Sequence, residues 1–483
     1  MRVLLTTEGT YPYFRGGVST WAHELVTGMP EHEFVVAAVV GNPHVAPAFR
    51  VPANTRVQAI PLWGTESVDE YVDPAPRRRR RSPRRARARE RAVAGQLLPA
   101  YEEVVAHLLE PRPPADLGSA LADIADFCTA HDLREALRDP RCWDLVRSRL
   151  GEHPAFGELS MADAIDIARS LYRYLTPLAV ALPDVDLAHS SGAALCALPA
   201  LAAKLRTGVP LLVTEHGVYV RERVLQLVRD DAPPMRKALL ANLYRAVARC
   251  AYAHADVVLP VCAYNTLWER ELGVEADRVR VVHNGVDPAD FPARDVELPR
   301  PTIAFVGRIE PLKDVRGLIA AVALVRDRVP DVLLRVHGPE DDPDYAARCR
   351  AAVASSGLEG AVVFEGPTTD PARAYQESDV VVLCSVSEGF PYTVVEAMCS
   401  GRPVVATAVG GVPEALHRGD LLVEPQNPRA LADCLVQVMR RRPEERRAIG
   451  VELRERAVRS FSRTRFLEEY RSLYRGDTRE RAA

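Results

Sequence analysis

Short apolar runs alternate with stretches of helical spacing through both halves of the chain. In the first half the runs are Val3 to Thr6, Phe34 to Val40 and Val57 to Ile60, with a helix predicted from about Val18 to Gly28. Runs this short, apolar throughout and bounded by turn residues, read as strands buried on both faces. The alternation resumes at Asp186–His189 and continues through Leu211–Thr214, a long helix at about Pro234–His254, Asp256–Val261 and Arg280–His283. A second set follows: Thr302–Val306, Val332–His337, Val362–Phe364, Val380–Cys384, Val404–Thr407 and Leu421–Val423, with helices between them. Strands and helices in strict alternation build doubly wound parallel sheets. Two such sets predict two α/β domains with a cleft between them. The polar, proline-bearing stretch Pro292 to Pro301 marks the boundary. The predicted domains are therefore 1–297 and 298–460, followed by a terminal segment, 461–483, with a helix rich in arginine, glutamate and aromatics.

Between about residues 64 and 177 the strand pattern stops. Helical spacing appears near Leu97–Leu109, Ala120–Leu137 and Ala162–Leu175, so this region reads as a helical insertion in the first domain. It begins with a tract, residues 77–91, that holds ten arginines and one glutamate. A block of like charge reads as a disordered, solvated loop. The sharper alternative is an electrostatic contact with anionic lipid or an acidic partner, such as a membrane-bound synthase component. The tract changes how net charge is read. The whole chain of 483 residues carries −3, and the tract carries +9, which leaves −12 for the rest. That excludes nucleic-acid binding by the body of the protein on charge. None of the nine cysteines forms a C-x-x-C pair, so neither a zinc site nor a redox motif is indicated. Buried free thiols suit a reducing cytosol. The N-terminus reads as a strand rather than a signal peptide, and no apolar stretch reaches the ~20 residues of a membrane span. The expected location is cytoplasmic, or peripheral at the inner face of the membrane.

The candidate chemistry lies at strand ends. After the run Val380 to Leu383 come Glu388 and Gly389 in a loop, and then Phe390-Pro391-Tyr392-Thr393 opening a helix that carries Glu396 and closes at Gly401. Open α/β sheets bind ligands in the crevice at that end. Free N–H groups at Phe390 to Thr393 suit an anion, and the flanking carboxylates suit hydroxyls. A phosphate with polyols describes a sugar nucleotide, although an ordinary βαβ unit with two solvated glutamates has the same pattern. Paired carboxylates also serve glycoside hydrolysis. That role needs one of them protonated, whereas exposed N–H groups and nearby cations would favour ionised Glu388 and Glu396. Strand Thr302–Val306 ends in Gly307-Arg308, with Lys313 five residues on. The pair can converge on a leaving diphosphate, or they can be surface cations paired with Glu310 and Asp314. In the first domain Gly16 and Gly17 allow close backbone approach at a helix start, and His216 lies at a strand end. Asp341, Asp342 and Asp344 have D-x-D spacing but follow Pro339 on a loop, and they read as turn and capping residues rather than metal ligands.

Together these residues resemble the retaining glycosyltransferases of family 4, which have the GT-B fold of two Rossmann-like doubly wound domains facing across a cleft. The match runs through Gly16-Gly17, His216, Gly307-Arg308 to Lys313, Glu388-Gly389-Phe390-Pro391 to Glu396-Ala397-Met398, and Gly401 to Glu414; its C-terminal part spans 302–475. The segments from Glu8 to Trp21 and from Thr214 to Arg223 look like a PelF-like, Pel exopolysaccharide branch; the arginine tract is foreign to that branch. The resemblance implies that Arg308 and Lys313 hold the donor diphosphate. It places Glu396 on the ribose and Glu388 on the transferred sugar, which His216 also contacts, and Gly17 on the phosphate and acceptor side. It implies no metal and no cofactor beyond the sugar nucleotide. It also implies a terminal helix that crosses back onto the first domain. The function it implies is hexosyl transfer with retention from a nucleoside-diphosphate sugar, UDP-linked, to a saccharide acceptor. A GT-B sugar-nucleotide epimerase and a non-catalytic saccharide-binding synthase component are the alternatives.

Overall fold

A computed structural model of the chain describes residues 1–42, 44–63, 83–154, 160–229, 231–293 and 298–476. The chain divides into two compact units. One comprises Met1–Pro260 and Leu267–Arg280, and the other Val261–Thr266 and Val281–Gly476. The expected link at 292–301 thus lies inside the second unit.

The first unit is built on a six-stranded sheet in the order β3-β2-β1-β4-β5-β6. Its strands are β1 Arg2–Glu8, β2 Glu33–Val40, β3 Thr55–Pro61, β4 Leu187–Ser190, β5 Leu211–Glu215 and β6 Val257–Pro260. All of its pairings are parallel. The second unit repeats the plan in the order β12-β11-β10-β7-β8-β9, again with parallel pairings. Its strands are β7 Thr302–Val306, β8 Leu333–His337, β9 Val362–Gly366, β10 Val380–Leu383, β11 Val404–Thr407 and β12 Leu422–Val423. Central strands such as β1, β2, β10 and β11 are buried along nearly their whole length, which is why their sequences are apolar runs. The edge strands β3 and β9 carry exposed positions. The winding direction reverses between β1 and β4 in one sheet and between β7 and β10 in the other. The loops that leave those strands therefore flank a ligand-binding crevice in each unit.

Most of the predicted elements form, and three expectations are corrected. Residues Arg280–His283 do not make a strand. One bridge joins Val258 to Val279, and the Arg280 N–H bonds the Val258 carbonyl before the chain leaves for the second unit at Val281. The insertion holds a helix that was not expected, Pro140–Glu152, beside Leu98–Leu109, Pro114–Ala130 and Met161–Leu175. The insertion shares one core with the sheet: Val104, Leu121 and Leu171 belong to the cluster that contains Leu4, Val35 and Val213.

The arginine tract is only partly as expected. Residues 77–82 lie outside the described residues, but Pro83–Ala92 is a helix rather than a loop. Arginine and alanine are strong helix formers. The chain continues helically into buried Val93 and Leu97, and Arg89 pairs with Glu135 at 2.9 Å.

The terminal helix Arg463–Tyr474 is grouped with the second unit. Its start is tied there by reciprocal main-chain bonds, Val286 N–H to Phe461 O and Arg463 N–H to Val286 O. No helix among the described residues is long and apolar enough to cross a membrane.

Candidate functional site

In the second unit the loops after β7 and β10 are fastened together. The Val386 N–H donates to the Leu312 carbonyl at 2.9 Å, and the Cys384 thiol lies 3.0 Å from the Lys313 carbonyl. Lys313 ends the 3-10 turn Pro311–Lys313. Its ammonium donates to Glu388 Oε1 at 2.5 Å, with both side chains largely buried. The Ser385 hydroxyl donates to the same oxygen, and Ser385 is itself held by Thr407, whose hydroxyl donates to its carbonyl at 2.7 Å. The Glu388–Gly389 backbone rests on the loop after β11. The Gly411 N–H donates to the Gly389 carbonyl at 2.7 Å, and Gly410, at φ +54°, leaves no room for a side chain: a Cβ there would lie 1.9 Å from the Glu388 carbonyl oxygen.

Gly389, Phe390 and Pro391 lead into the helix Tyr392–Cys399, which Tyr392 and Thr393 open and Gly401 follows in the left-handed region. Pro391 takes the N-cap position rather than the first turn. Phe390 is buried; its carbonyl accepts from Asn284 Nδ2 at 2.9 Å, and its ring packs on His283 and Phe461. Glu414 holds the neighbouring segment, accepting from His283 Nε2 at 2.6 Å and from the Ala263 N–H at 2.8 Å. Burial alone would raise the Glu414 pKa, but these bonds and Arg456 outweigh it and lower the value.

Glu396 does not meet the expectation that nearby donors and cations keep it ionised. Its partner is a neutral phenol: the Tyr375 hydroxyl, from helix Pro371–Gln376, donates to Oε2 at 2.7 Å. Burial raises its pKa to about 7 despite that bond. Arg308 and Lys313 do not converge on one partner either. The half-exposed Arg308 guanidinium pairs with Glu310 at 2.9 Å and lies 3.8 Å from Asp341. Asp342 is a helix cap, as expected, accepting from the Tyr345 N–H at 2.8 Å.

Three predicted site residues belong to the first unit. Gly16 is the N-cap and Gly17 the first residue of helix Gly17–Gly28. His216 follows β5 and meets Trp21 edge-on at 4.7 Å; burial lowers its pKa to about 3, so it is neutral. A cavity of about 280 Å³ opens where β1, β4 and β5 end, lined by Glu8, Thr10, Ser191, Glu215, His216 and Arg223 among others. Glu8 Oε1 accepts from Arg223 at 2.8 Å and from the Tyr219 hydroxyl at 3.3 Å, and Oε2 accepts from the Cys196 N–H at 3.3 Å. Glu215 Oε1 accepts from the Ala193 N–H and the Tyr252 hydroxyl, each at 2.8 Å. Burial raises its pKa to about 7 against the effect of those bonds. The segments from Glu8 to Trp21 and from Thr214 to Arg223 stood out in the sequence, but the meeting of Glu8 with Arg223, 215 positions apart, did not. Ser385, Tyr375 and Asn284 were likewise missed, since each acts only through a neighbour brought in by the fold.

Residues 1–277 match the family model described as Domain of unknown function (DUF3492), which is more than half of the chain, and the chain belongs to that family. Residues 300–441 match the model described as Glycosyl transferases group 1. Among curated relatives, the D-inositol 3-phosphate glycosyltransferase of Corynebacterium glutamicum (strain R) is 35% identical over 258 residues, covering 48% of this chain and 58% of that protein. The protein of the same name from Mycobacterium sp. (strain KMS) is 36% identical over 267 residues, covering 52% and 58%. The chain thus spans 58% of the length of each of these two relatives. Among solved structures, sucrose-phosphate synthase from Thermosynechococcus elongatus aligns with a TM-score of 0.61 at 17% identity, over 98% of both chains. Anabaena HepE in complex with UDP-glucose aligns with a TM-score of 0.60 at 14% identity, over 99% of this chain and 100% of that one. The two parallel six-stranded sheets with their helices are the two Rossmann domains of the GT-B fold.

Proposed function

We propose that this member of the DUF3492 family transfers a hexosyl group, with retention, from a nucleoside-diphosphate sugar to a saccharide acceptor. The donor is UDP-linked, the enzyme is of family 4 type, and its setting is exopolysaccharide or glycoconjugate synthesis in a PelF-like branch. The observation that carries this reading is the buried Lys313–Glu388 pair at the crevice between β7 and β10, with Glu396 one helix turn and more beyond it.

A lysine poised against a carboxylate has an alternative partner ready when a diphosphate arrives. Lys313 then holds the phosphate as a point charge, and Arg308, half exposed beside the same strand end, adds a planar fork. Glu388, released from Lys313, accepts hydroxyls of the transferred sugar, and Glu396 accepts those of the ribose. In the reaction the bond from the anomeric carbon to the diphosphate oxygen breaks. The bond to the acceptor oxygen forms on the same face, and the acceptor proton passes to the leaving phosphate. Arg308 and Lys313 stabilise the charge that grows there. They supply what a metal supplies elsewhere, so we propose a metal-independent reaction. Inversion would need a general base with a pKa near the working pH. His216, lowered to about 3, is a poor one, which supports retention. The basic helix Pro83–Ala92 supports peripheral association with an anionic membrane surface.

A panel of UDP-sugars with saccharide acceptors, read by UDP release and by proton NMR of the first product, tests the reading. An α-linked donor should give an α-linked product, and activity should persist in EDTA. A β-linkage overturns the mechanism, and no UDP release from any donor overturns the function.

A further inference from the structure

The carboxyl of Glu396, the ribose acceptor of the reading above, has one hydrogen-bond partner among the described residues. The Tyr375 hydroxyl donates to Oε2 at 2.7 Å, and Oε1 is left without a donor on a half-buried side chain. Tyr375 is itself fixed. It is fully buried on the helix Pro371–Gln376, its ring meets that of Phe291 at 6.1 Å, and its carbonyl accepts from the Ser378 hydroxyl at 2.7 Å. A buried phenol with a single acceptor stays hydrogen-bonded to it, because the alternative is an unsatisfied donor. Burial and the Tyr375 bond are the two influences on the ionisation of Glu396, and no cation adds to them. The ionisable groups of the packed elements are neutral or engaged elsewhere. Cys399, on the same helix, is a buried thiol pushed up to about 12. Arg373 pairs with Glu377 at 2.7 Å, and Arg454 of the helix Pro443–Ser460 donates to the Phe291 carbonyl at 2.9 Å. Glu414 is held by His283 and the Ala263 N–H. Strands β10 and β11 carry no charge.

Taking the glycosyl-transfer reading as its basis, we propose that Tyr375 is a positioning residue for the sugar nucleotide: its hydroxyl fixes one oxygen of Glu396 and leaves the other to the ribose hydroxyls. The terminal torsion of a glutamate is soft, so a carboxylate with no fixed donor would have to be ordered when the nucleotide binds. The Tyr375 bond orders it beforehand. The same bond supplies one donor to a carboxylate that has lost part of its hydration. It favours the ionised form, against the burial that raises the Glu396 pKa to about 7. Tyr375 touches neither the sugar nor the diphosphate in this arrangement; it acts through Glu396.

The test is a double-mutant cycle in the full chain, read by calorimetric titration with UDP across pH 6 to 9. Tyr375→Phe keeps the ring and removes the donor. UDP affinity at pH 8 should fall about three- to tenfold, the worth of one hydrogen bond. The rise of affinity with pH should move to higher pH, since a carboxyl without its donor is harder to ionise. The phosphate of UDP titrates alike with every variant, so differences between proteins report on Glu396. In a Glu396→Ala background, where the hydroxyl has no carboxylate to hold, Tyr375→Phe should cost nothing further. 2′-Deoxy-UDP, with one ribose hydroxyl fewer, should lose less affinity than UDP on Tyr375→Phe. An equal loss in both backgrounds, an equal loss for both nucleotides or an unmoved pH profile would make Tyr375 a packing residue and overturn the proposal. So would a Tyr375→Phe chain too unstable to bind UDP at any pH. The donor reading fails separately, by the absence of UDP binding in the parent chain.

Discussion

Lys313 and Glu388 illustrate how one contact can be both a structural bond and a site in waiting. The ammonium–carboxylate pair, 16% and 10% exposed, is held by Ser385 on one side and the β7 loop on the other. Neither side chain belongs to the apolar core, but removing one partner leaves the other charge largely buried without its counter-ion, which costs stability. Lys313→Ala and Arg308→Ala should each lower turnover by about 10²- to 10³-fold, the worth of one donor to developing charge; the thermal unfolding midpoint stays close to that of the parent for the half-exposed Arg308, and falls for Lys313→Ala, which leaves buried Glu388 unpaired. Near-normal UDP release in both variants would remove them from the mechanism. Glu396 makes a second residue-level prediction. Its pKa of about 7 means that the carboxylate form, which accepts ribose hydroxyls, becomes populated as pH rises through 7. UDP should bind more tightly at pH 8 than at pH 6 in calorimetric titration, and Glu396→Gln should flatten that dependence. A parent protein with no pH dependence in this range would argue against Glu396 as the ribose acceptor.

At the scale of elements, the second site is an arrangement of loops held at fixed distances. The loop after β11 supports Glu388 from beneath through Gly410 and Gly411. Gly410→Ala would place a side chain both in the left-handed region and within 1.9 Å of the Glu388 carbonyl. The variant should lose sugar-dependent activity more than UDP affinity, since Glu388 shifts and Glu396, on a separate helix, does not. Equal loss of both would locate the effect elsewhere. The arginine-rich helix shows where sequence pattern and local propensity conflict. Like charge argued for a loop, but arginine and alanine favour helix. Burial of Val93 and Leu97 just beyond the charged run anchors the helix to the core. Charge patterning describes solvation of a segment; backbone conformation was set by propensity and by the buried residues next along the chain.

On the scale of the whole molecule, the buried titratable groups oppose one another. Burial holds Glu215 and Glu396 at about 7 and raises Glu269, whose two carboxyl oxygens have no protein partner, to about 9, with repulsion from Glu215 adding to the shift. For an acid with a raised folded pKa, the folded state binds the extra proton, so its contribution to stability falls as pH climbs from 4.5 through the folded value. The buried neutral histidines His189 and His216, both lowered to about 3, act the other way: stability falls as pH drops below 6.5. Between pH 7.5 and 9 Glu269 is the member of these five still titrating. The unfolding midpoint of Glu269→Gln relative to the parent should therefore move in the variant's favour as pH rises from 5 to 9; a constant difference would mean that Glu269 ionises as freely as in water. Much of the architecture was legible in the chain itself. Two sets of apolar runs became two parallel sheets, because strands covered on both faces must be apolar throughout. Arg308, Lys313 and Glu388 follow β7 and β10 in the loops at the strand ends, and Glu396 lies on the helix beyond, so their placement was legible from the alternation of runs. Only the tertiary structure decided which charges meet. Lys313 chose Glu388 over Arg308's neighbourhood, Tyr375 rather than a cation reached Glu396, and Glu8 met Arg223 across 215 positions of chain. Hydrophobic pattern is a local property that survives in one dimension, whereas pairing and desolvation depend on neighbours that distant segments supply.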